Sequence, residues 1–259
     1  MNNLAHSAGF IETLTSDVHY NLALEHAILQ EIEKSPFDLI IRFWKNEASV
    51  ILGRSQDIYT EVDIDYCESH DIKIARRISG GGCVYHDLGN QNTSVFIKKR
   101  VLSKNHHSLP KINESFTELV IESLKKSGLN DLSITNNTSI LYKNRKISGA
   151  AGYSKGSVLL HHFTLLEKTN LETLEKVLLV KNINPIPKSR LSRYSPTINL
   201  PSSFNMNDWK TNFINVMKNQ FFLQMKEINI SEEISTLAKI MRDEMYVKKD
   251  WVFRQKRIF

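Results

Sequence analysis

Arg76-Arg77-Ile78-Ser79-Gly80-Gly81-Gly82-Cys83-Val84-Tyr85-His86-Asp87-Leu88-Gly89-Asn90 is the stretch that constrains this chain most tightly. A basic pair runs into consecutive glycines, and a histidine, an aspartate and an asparagine follow closely. Without Cβ atoms, glycines can adopt positive φ and let backbone N–H groups approach an anion. Arginine adds fixed positive charge and forked donors that suit phosphate or carboxylate. A glycine triplet alone is equally consistent with a tight turn. The polar residues on both sides favour a ligand loop.

Working outward, Ile72 to Ile78 is predicted to be a strand feeding straight into the loop, and Asn92 to Lys98 the next strand. Asp38 to Trp44 and Ala48 to Leu52 are expected as a hairpin around Lys45-Asn46-Glu47, and Thr60 with Asp63 as a capping box for a short helix ending near His70. Upstream, Leu22, Ala23, Ala27, Ile28 and Ile32 share a helical face over Asn21 to Glu33, with Ser16 or Asp17 as N-cap. Downstream, Pro110 opens a helix through Ser127, stopped by Gly128. Strands are predicted at Ser139 to Tyr142 and Val158 to Glu167, and Asn170 caps a helix to Leu179. Asn184 to Pro201 reads as an aperiodic linker. Late helices carry Trp209, Phe213, Val216 and Met217, then Ile234, Leu237, Ala238, Met241 and Met245. Irregular helices among hairpins, without βαβ alternation, imply an α+β fold with a mixed, mostly antiparallel sheet and flanking helices.

Composition bounds the problem. The chain has 259 residues, 41% of them hydrophobic, enough for a full core in one large or two small domains. Lys and Arg number 34 against 28 Asp and Glu, a mixed solvated surface with a formal charge of +6. The runs Lys98-Lys99-Arg100 and Arg254-Gln255-Lys256-Arg257 are too short, and too poor in interleaved aromatics, to suggest nucleic acid. Cys67 and Cys83 form no disulfide framework or metal motif. No apolar run reaches membrane-spanning length, and Met1-Asn2-Asn3 opens no signal peptide, so no membrane partner and a cytoplasmic setting are expected.

The second informative stretch is Lys146-Ile147-Ser148-Gly149-Ala150-Ala151-Gly152, followed by His161-His162-Phe163-Thr164-Leu165-Leu166. A lysine opening a strand of residues too small to fill a core suggests space left for a ligand. Adjacent histidines on a strand are expected to face opposite ways. No further ligands at matched spacing support a metal site there, so metal ligands stay unknown.

Both stretches resemble the lipoate–protein ligase family, whose RRxSGGGxVxHDxGN and K-[IV]-[SA]-G-x-A…HH-x-T-L-L patterns they follow. Asn21-Leu22-Ala23-Leu24-Glu25 looks like the family's first helix; Trp44-Lys45-Asn46 with Val50 to Gln56 looks like its W-x-N…V-V-I-G-R-x-Q-N segment. The likeness spans roughly residues 20 to 170. It implies a catalytic domain of the class II aminoacyl-tRNA synthetase and biotin ligase type, as one domain over 1–259 with the late helices of 206–246 packed as its C-terminal part.

The resemblance also implies a two-step reaction. Lipoate and ATP, accompanied by Mg²⁺, give lipoyl-adenylate and pyrophosphate; an acceptor lysine then takes the lipoyl group and AMP leaves. By position, Lys146 matches the catalytic lysine and Arg77 an ATP-contacting arginine. Gly80, Gly81, Gly82, Cys83, Val84 and Tyr85 match the wall lining the nucleotide. His86 and Asn90 match adenylate contacts, and Ala151 and His162 match residues beside the lipoyl carboxyl or phosphate. Val84, Ile74 and Leu159 are candidates for an acyl tunnel. The implied acceptors are lipoyl-domain proteins of the 2-oxoacid dehydrogenase E2 or glycine-cleavage H type.

Three departures qualify the resemblance. Ser139 stands where the family usually has Asp or Glu; its hydroxyl is expected to donate and accept in place, or Asp131 to compensate. Cys83 replaces the usual Ala or Thr and, three residues before His86, invites a thiolate–imidazole reading against that of an apolar filler. The chain also lacks the accessory C-terminal domain of many members, as in the archaeal bipartite type, so a separate small accessory subunit is expected. Competing readings are an octanoyl or lipoyl transferase using preformed adenylate or an acyl carrier, a biotin ligase (whose G-R-G-R-x-x-R-x-W loop is missing), and a catalytically silent binder.

Overall fold

In the computed structural model, residues 6–102, 108–179 and 192–254 are described. Part of the predicted linker, the end of the basic run at Arg254 to Arg257, and Met1-Asn2-Asn3 lie outside them. In chain order the elements are β1 (His6–Thr13), α1 (Val18–Glu31), β2 (Leu39–Trp44), β3 (Ser49–Leu52), α2 (Ile58–Glu61), α3 (Ile64–Ser69), β4 (Lys73–Arg76), β5 (Val84–His86) and β6 (Asn90–Lys98). There follow α4 (Leu109–Lys126), β7 (Leu132–Thr135), β8 (Ser139–Tyr142), β9 (Arg145–Lys155), β10 (Val158–Leu166), α5 (Leu171–Val177), α6 (Met206–Gln220), β11 (Leu223–Glu227), α7 (Glu232–Met241) and α8 (Lys249–Phe253).

A large sheet runs β11-β1-β2-β6-β10-β9-β8-β7, and a small one β4-β3-β5. β1 pairs in parallel with β11 and β2, whereas every pairing from β2 through β7 is antiparallel. The fold is therefore α+β with a mostly antiparallel sheet, as expected. One hairpin is not formed. β2 and β3 lie in different sheets, because β1 and β6 occupy both edges of β2. The intervening turn is a crossover anchored by buried Asn46, which accepts from Asn21 and donates to His86 Nδ1.

Local chemistry sets the helix ends. Asp17 caps α1 through the Tyr20 N–H, Asn170 caps α5, and Pro110 lies in the first turn of α4. Gly128, at φ +87°, ends α4 in the left-handed region. The predicted capping box is replaced by a simpler device. Asp63 itself caps α3 by accepting from Tyr66 N, while Thr60 lies inside α2 and bonds Asp57 O.

The large sheet separates two apolar layers. On one face, α4 and α6 pack Phe116, Trp209 and Phe213 against Phe43, Val95 and Phe163. On the other, α1 and α7 cover Ile40, Phe96 and Leu160 with Leu22, Ile28 and Ala238. Each large side chain fully buried here contributes about 1.5–3 kcal/mol. The late helices thus join the same cores as the sheet. Residues of both sheets, among them Ile51 and Val84 of the small one and Trp44 and His162 of the large one, line the site.

Candidate active site

The loop from Arg77 to Cys83 leaves β4 and returns as β5. Its shape depends on close backbone approach. A Cβ on Gly53 would lie 2.2 Å from Gly81 O, and Gly81 has φ +96°. Arg77 organises the loop from beneath. Its Nε donates to Ser79 Oγ at 3.0 Å, Nη1 to Ile51 O at 3.1 Å, and Nη2 to Gly80 O and Gly82 O at 2.7 and 2.8 Å. A trans peptide is planar with C=O and N–H opposed, so carbonyls drawn toward Arg77 turn the Gly81 and Cys83 N–H groups away from it. Cys83 N–H donates to Ser192 Oγ at 2.7 Å; among the described residues Gly81 N–H has no acceptor.

Arg76 does something different. It is fully buried and aimed at the opposite side, donating to Gly53 O, Gln56 O, Trp251 O and Val252 O, while Trp251 Nε1 returns a bond to Arg76 O. The basic pair is therefore one loop organiser and one staple to α8. Only Arg77 reaches the cavity.

That cavity measures about 530 Å³. Leu22, Trp44 and Ile51 line an apolar region, whereas the residues of Ser192 to Ser195 form part of another wall. A smaller adjoining space, about 100 Å³, is bounded by Tyr85, Leu166, Leu174 and Leu178. Cys83, Val84, Lys146, Gly149 and Thr164 line both spaces. Lys146 thus sits at their junction. Its backbone is fixed by Lys146 N→Pro196 O at 2.7 Å and Ile198 N→Lys146 O at 3.0 Å. A Cβ on Gly149 would come within 3.1 Å of Lys146 Cε and Nζ, so the missing side chain makes room for the ammonium. Among the described residues that ammonium has no hydrogen-bond or ion-pair partner. Desolvation first, and the nearby positive charge of Arg77 second, lower its pKa from the ordinary lysine value.

Of the sequence-predicted residues, Arg77, Gly81, Gly82, Cys83, Val84, His86, Lys146, Ala151 and His162 line the main cavity, and Tyr85 the adjoining space. Gly80 stands back, contributing its carbonyl to Arg77. Asn90 is buried behind the wall, donating to Asn92 Oδ1, and Asn92 lines the cavity in its place. Ile74 packs in the core of the small sheet and Leu159 in that of the large sheet, so neither forms an acyl tunnel. Gly152 leaves room for α4 and not for a ligand, since a Cβ there would lie 2.4 Å from Asn113 Oδ1. Ser139 is buried and lines the cavity; Asp131 is exposed and lines neither space, so it does not stand in for a carboxylate.

The adjacent histidines divide as strand geometry requires. His161 faces α4, bonded to Asn113 Oδ1 and stacked on Phe116, and burial lowers its pKa to about 3. His162 faces the cavity, with Nε2 2.7 Å from Ser79 Oγ and Nδ1 2.9 Å from Glu25 Oε1. His86, also held down to about 3 by burial, is neutral, and burial raises the Cys83 thiol well above its ordinary value. Neither supports a thiolate–imidazole pair. Leu22, Trp44 and Ser192 were not singled out from sequence as site residues. Trp44 carried a signal, in its W-x-N context; Ser192, in an aperiodic segment, carried none.

Comparison with known proteins agrees with this geometry. The family model described as the lipoyl protein ligase A/B catalytic domain matches residues 17–222. The chain belongs to that family and is of the lipoate–protein ligase class. Among individual relatives, it is 32% identical over 243 residues to lipoate-protein ligase A subunit 1 of Thermoplasma acidophilum, covering 89% of this chain and 90% of the relative. A structure of the bipartite lipoate protein ligase system from Thermoplasma acidophilum with its E2 lipoyl domain superposes with a TM-score of 0.79 at 27% identity, covering 98% of this chain and 100% of that one. A lipoate-protein ligase A bound with ATP superposes with a TM-score of 0.75 at 28% identity, over 96% and 99% of the two chains.

Among the described residues no group of His, Cys, Asp and Glu could hold a metal ion, and Glu175 is the one carboxylate on the walls of the two spaces. The donor set does not fit a resident magnesium ion. No described helix is long and apolar enough to cross a membrane.

Proposed function

We propose that this chain activates lipoate with ATP and transfers the lipoyl group to a lysine of an acceptor lipoyl-domain protein. The observation that carries the reading is the Lys146 ammonium, without a partner among the described residues, at the junction of two differently lined spaces. The apolar region at Leu22, Trp44 and Ile51 suits an acyl chain, and the space at Tyr85, Leu166, Leu174 and Leu178 suits a purine. The carboxylate of the acid and the α-phosphate of the nucleotide then meet beside Lys146. One carboxylate oxygen attacks the α-phosphorus, the bond to the β-phosphate oxygen breaks, and pyrophosphate leaves. The neutral ε-amine of the acceptor next attacks the acyl carbon; AMP leaves with the carboxyl-derived oxygen and the amine loses a proton. Lys146 and Arg77 offset negative charge at both stages, in a site where water screens little.

The remaining roles follow from position. The Gly81 N–H is placed to receive a phosphate oxygen, and His86, Ala151 and His162 border the reacting carboxyl. Magnesium, where the reaction uses it, would arrive on the nucleotide with phosphate and water ligands. The likeness to a subunit 1 supports a requirement for a second protein, and we place the reaction in the cytoplasm, in one catalytic domain that includes α6 and α7. The test is pyrophosphate release and acceptor mass, with lipoate, ATP and Mg²⁺, with and without an acceptor domain. With the acceptor and the second protein present both products should form, and both should fall at least about 10²-fold in Lys146→Ala; near-normal rates in that variant would overturn the assignment. Undiminished turnover by the chain alone would refute the second subunit.

A second reading has one specific observation behind it. Ser139 puts a hydroxyl on the cavity wall where relatives of this family are expected to carry an acid, which favours a transferase using preformed adenylate. Transfer from synthetic lipoyl-adenylate without pyrophosphate release from ATP would establish it.

A further inference from the structure

Glu25, Ser79 and His162 form an arrangement that no residue role above explains. Glu25 is 1% exposed and lies on α1, His162 is on β10, and Ser79 is fully buried in the loop. The distances, 2.9 Å from Glu25 to His162 and 2.7 Å from His162 to Ser79, are those of a nucleophilic triad. Access decides against that chemistry. Ser79 lines neither space, so no acyl carbon can reach its hydroxyl.

The two end bonds of the network have fixed donors. Ionised Glu25 only accepts, so His162 Nδ1 carries a proton toward it. At the other end Arg77 only donates, so its Nε–H points at Ser79 Oγ, 3.0 Å away. Ser79 Oγ and His162 Nε2, 2.7 Å apart, share the hydrogen bond that joins the two ends. Ser94 also donates to Glu25, at 2.6 Å, and receives Trp44 Nε1–H at 2.8 Å, which fixes the carboxylate from behind. The chain of bonds links Arg77 to Ser79, Ser79 to His162 and His162 to Glu25, and Arg77 is the residue that grips the Gly80 and Gly82 carbonyls.

We propose that Glu25 is a positioning residue for the nucleotide cradle, acting through His162 and Ser79 to hold the Arg77 guanidinium that turns the Gly81 N–H away from itself and toward the ligand, while the Cys83 N–H is held by Ser192. Ser79 is the obligatory middle link. Glu25 touches no substrate in this scheme; it supplies the fixed acceptor at the end of the chain. Low-dielectric surroundings strengthen each bond and make a missing one costly. The proposal rests on the ligase reading for the identity of the anion, but the bond network stands without it.

The test uses Ser79→Ala, which cuts the chain in the middle, and Glu25→Gln, which removes the charge at similar size. Three readouts are needed: KM for ATP against kcat in the ligation assay, the ¹⁵N resonances of Arg77 Nε and His162 by NMR, and thermal unfolding. The expected result is a protected Arg77 Nε–H in the starting protein that exchanges faster in both variants. KM for ATP should rise about tenfold in Ser79→Ala, with kcat at saturating ATP changing less. A folded Ser79→Ala protein with unchanged Arg77 exchange and KM for ATP within twofold would overturn the proposal, as would a fall in thermal stability alone. If Glu25→Gln does not fold, Ser79→Ala decides. If the starting protein neither binds nor uses ATP, the ligase reading fails, and the Arg77 exchange in the two variants still decides the network.

Discussion

Each of the two sheets treats neighbouring residues of the same type in opposite ways. Arg76 and Arg77 are adjacent, both buried and both cationic, yet Arg76 staples the main chain of α8 and Arg77 shapes the loop at the cavity. His161 and His162 repeat the pattern: one is stacked on Phe116 within the core, the other borders the cavity. Successive side chains of a strand point to opposite faces. Residue type is thus a poor guide to role here, and parity along the strand a good one. The scaffold side pairs its polar groups with fixed acceptors, and the cavity side leaves Lys146 without a partner among the described residues.

Perturbing each side should separate stability from chemistry. The largest effect is expected for Arg76→Met, which leaves buried carbonyls of Gly53, Gln56 and Val252 without their donor. Unfolding by denaturant should show a loss of about 3–5 kcal/mol, while the fraction that folds keeps pyrophosphate release. Lys146→Ala should do the reverse. Pyrophosphate release is expected to fall about 10²–10³-fold, with a thermal midpoint near that of the unmodified protein, since no bond is broken. Lys146→Arg should not restore the rate, because a planar fork does not fit the space beside Gly149.

Acidification tests the buried histidines. His86 and His161 stay neutral to about pH 3 in the folded chain but titrate near 6.5 when unfolded. Below pH 6.5 the unfolded chain therefore binds more protons, and stability, fully present above that value, drops as pH falls toward 3. Each histidine should cost about 2 kcal/mol at pH 5, seen as a lower denaturation midpoint. His161→Asn should flatten part of that dependence. The smallest effect is expected for Cys83→Ala: a loss of about 1 kcal/mol or less and a transfer rate within twofold. A folded Cys83→Ala protein slowed more than tenfold in acceptor modification would bring the thiolate–imidazole reading back.

Much of this was legible in the chain. The glycine loop, Lys146 before small residues and the paired histidines located the site, because close backbone approach and strand alternation leave marks within a few residues. Helix caps at Asp17, Asn170 and Gly128 were readable for the same local reason. The hairpin expected at Lys45 to Glu47 was not formed, since pairing depends on which distant strands, β1 and β6, claim the edges of β2. The acyl-tunnel candidates Ile74 and Leu159 failed similarly: an apolar residue looks the same whether it meets a core or a cavity.

The sequence by itself determined the α+β class, the glycine-rich loop and its basic pair, and the lysine and histidine that face it. These follow from local conformational preference and from periodicity. Only the tertiary structure decided that Arg76 turns away from the ligand, that Ser192 closes on the Cys83 N–H, and that Glu25, far away in the chain, ends a hydrogen-bond path beneath the loop. Each of those depends on which buried donor finds an acceptor, and in a folded chain that acceptor can come from any element packed alongside.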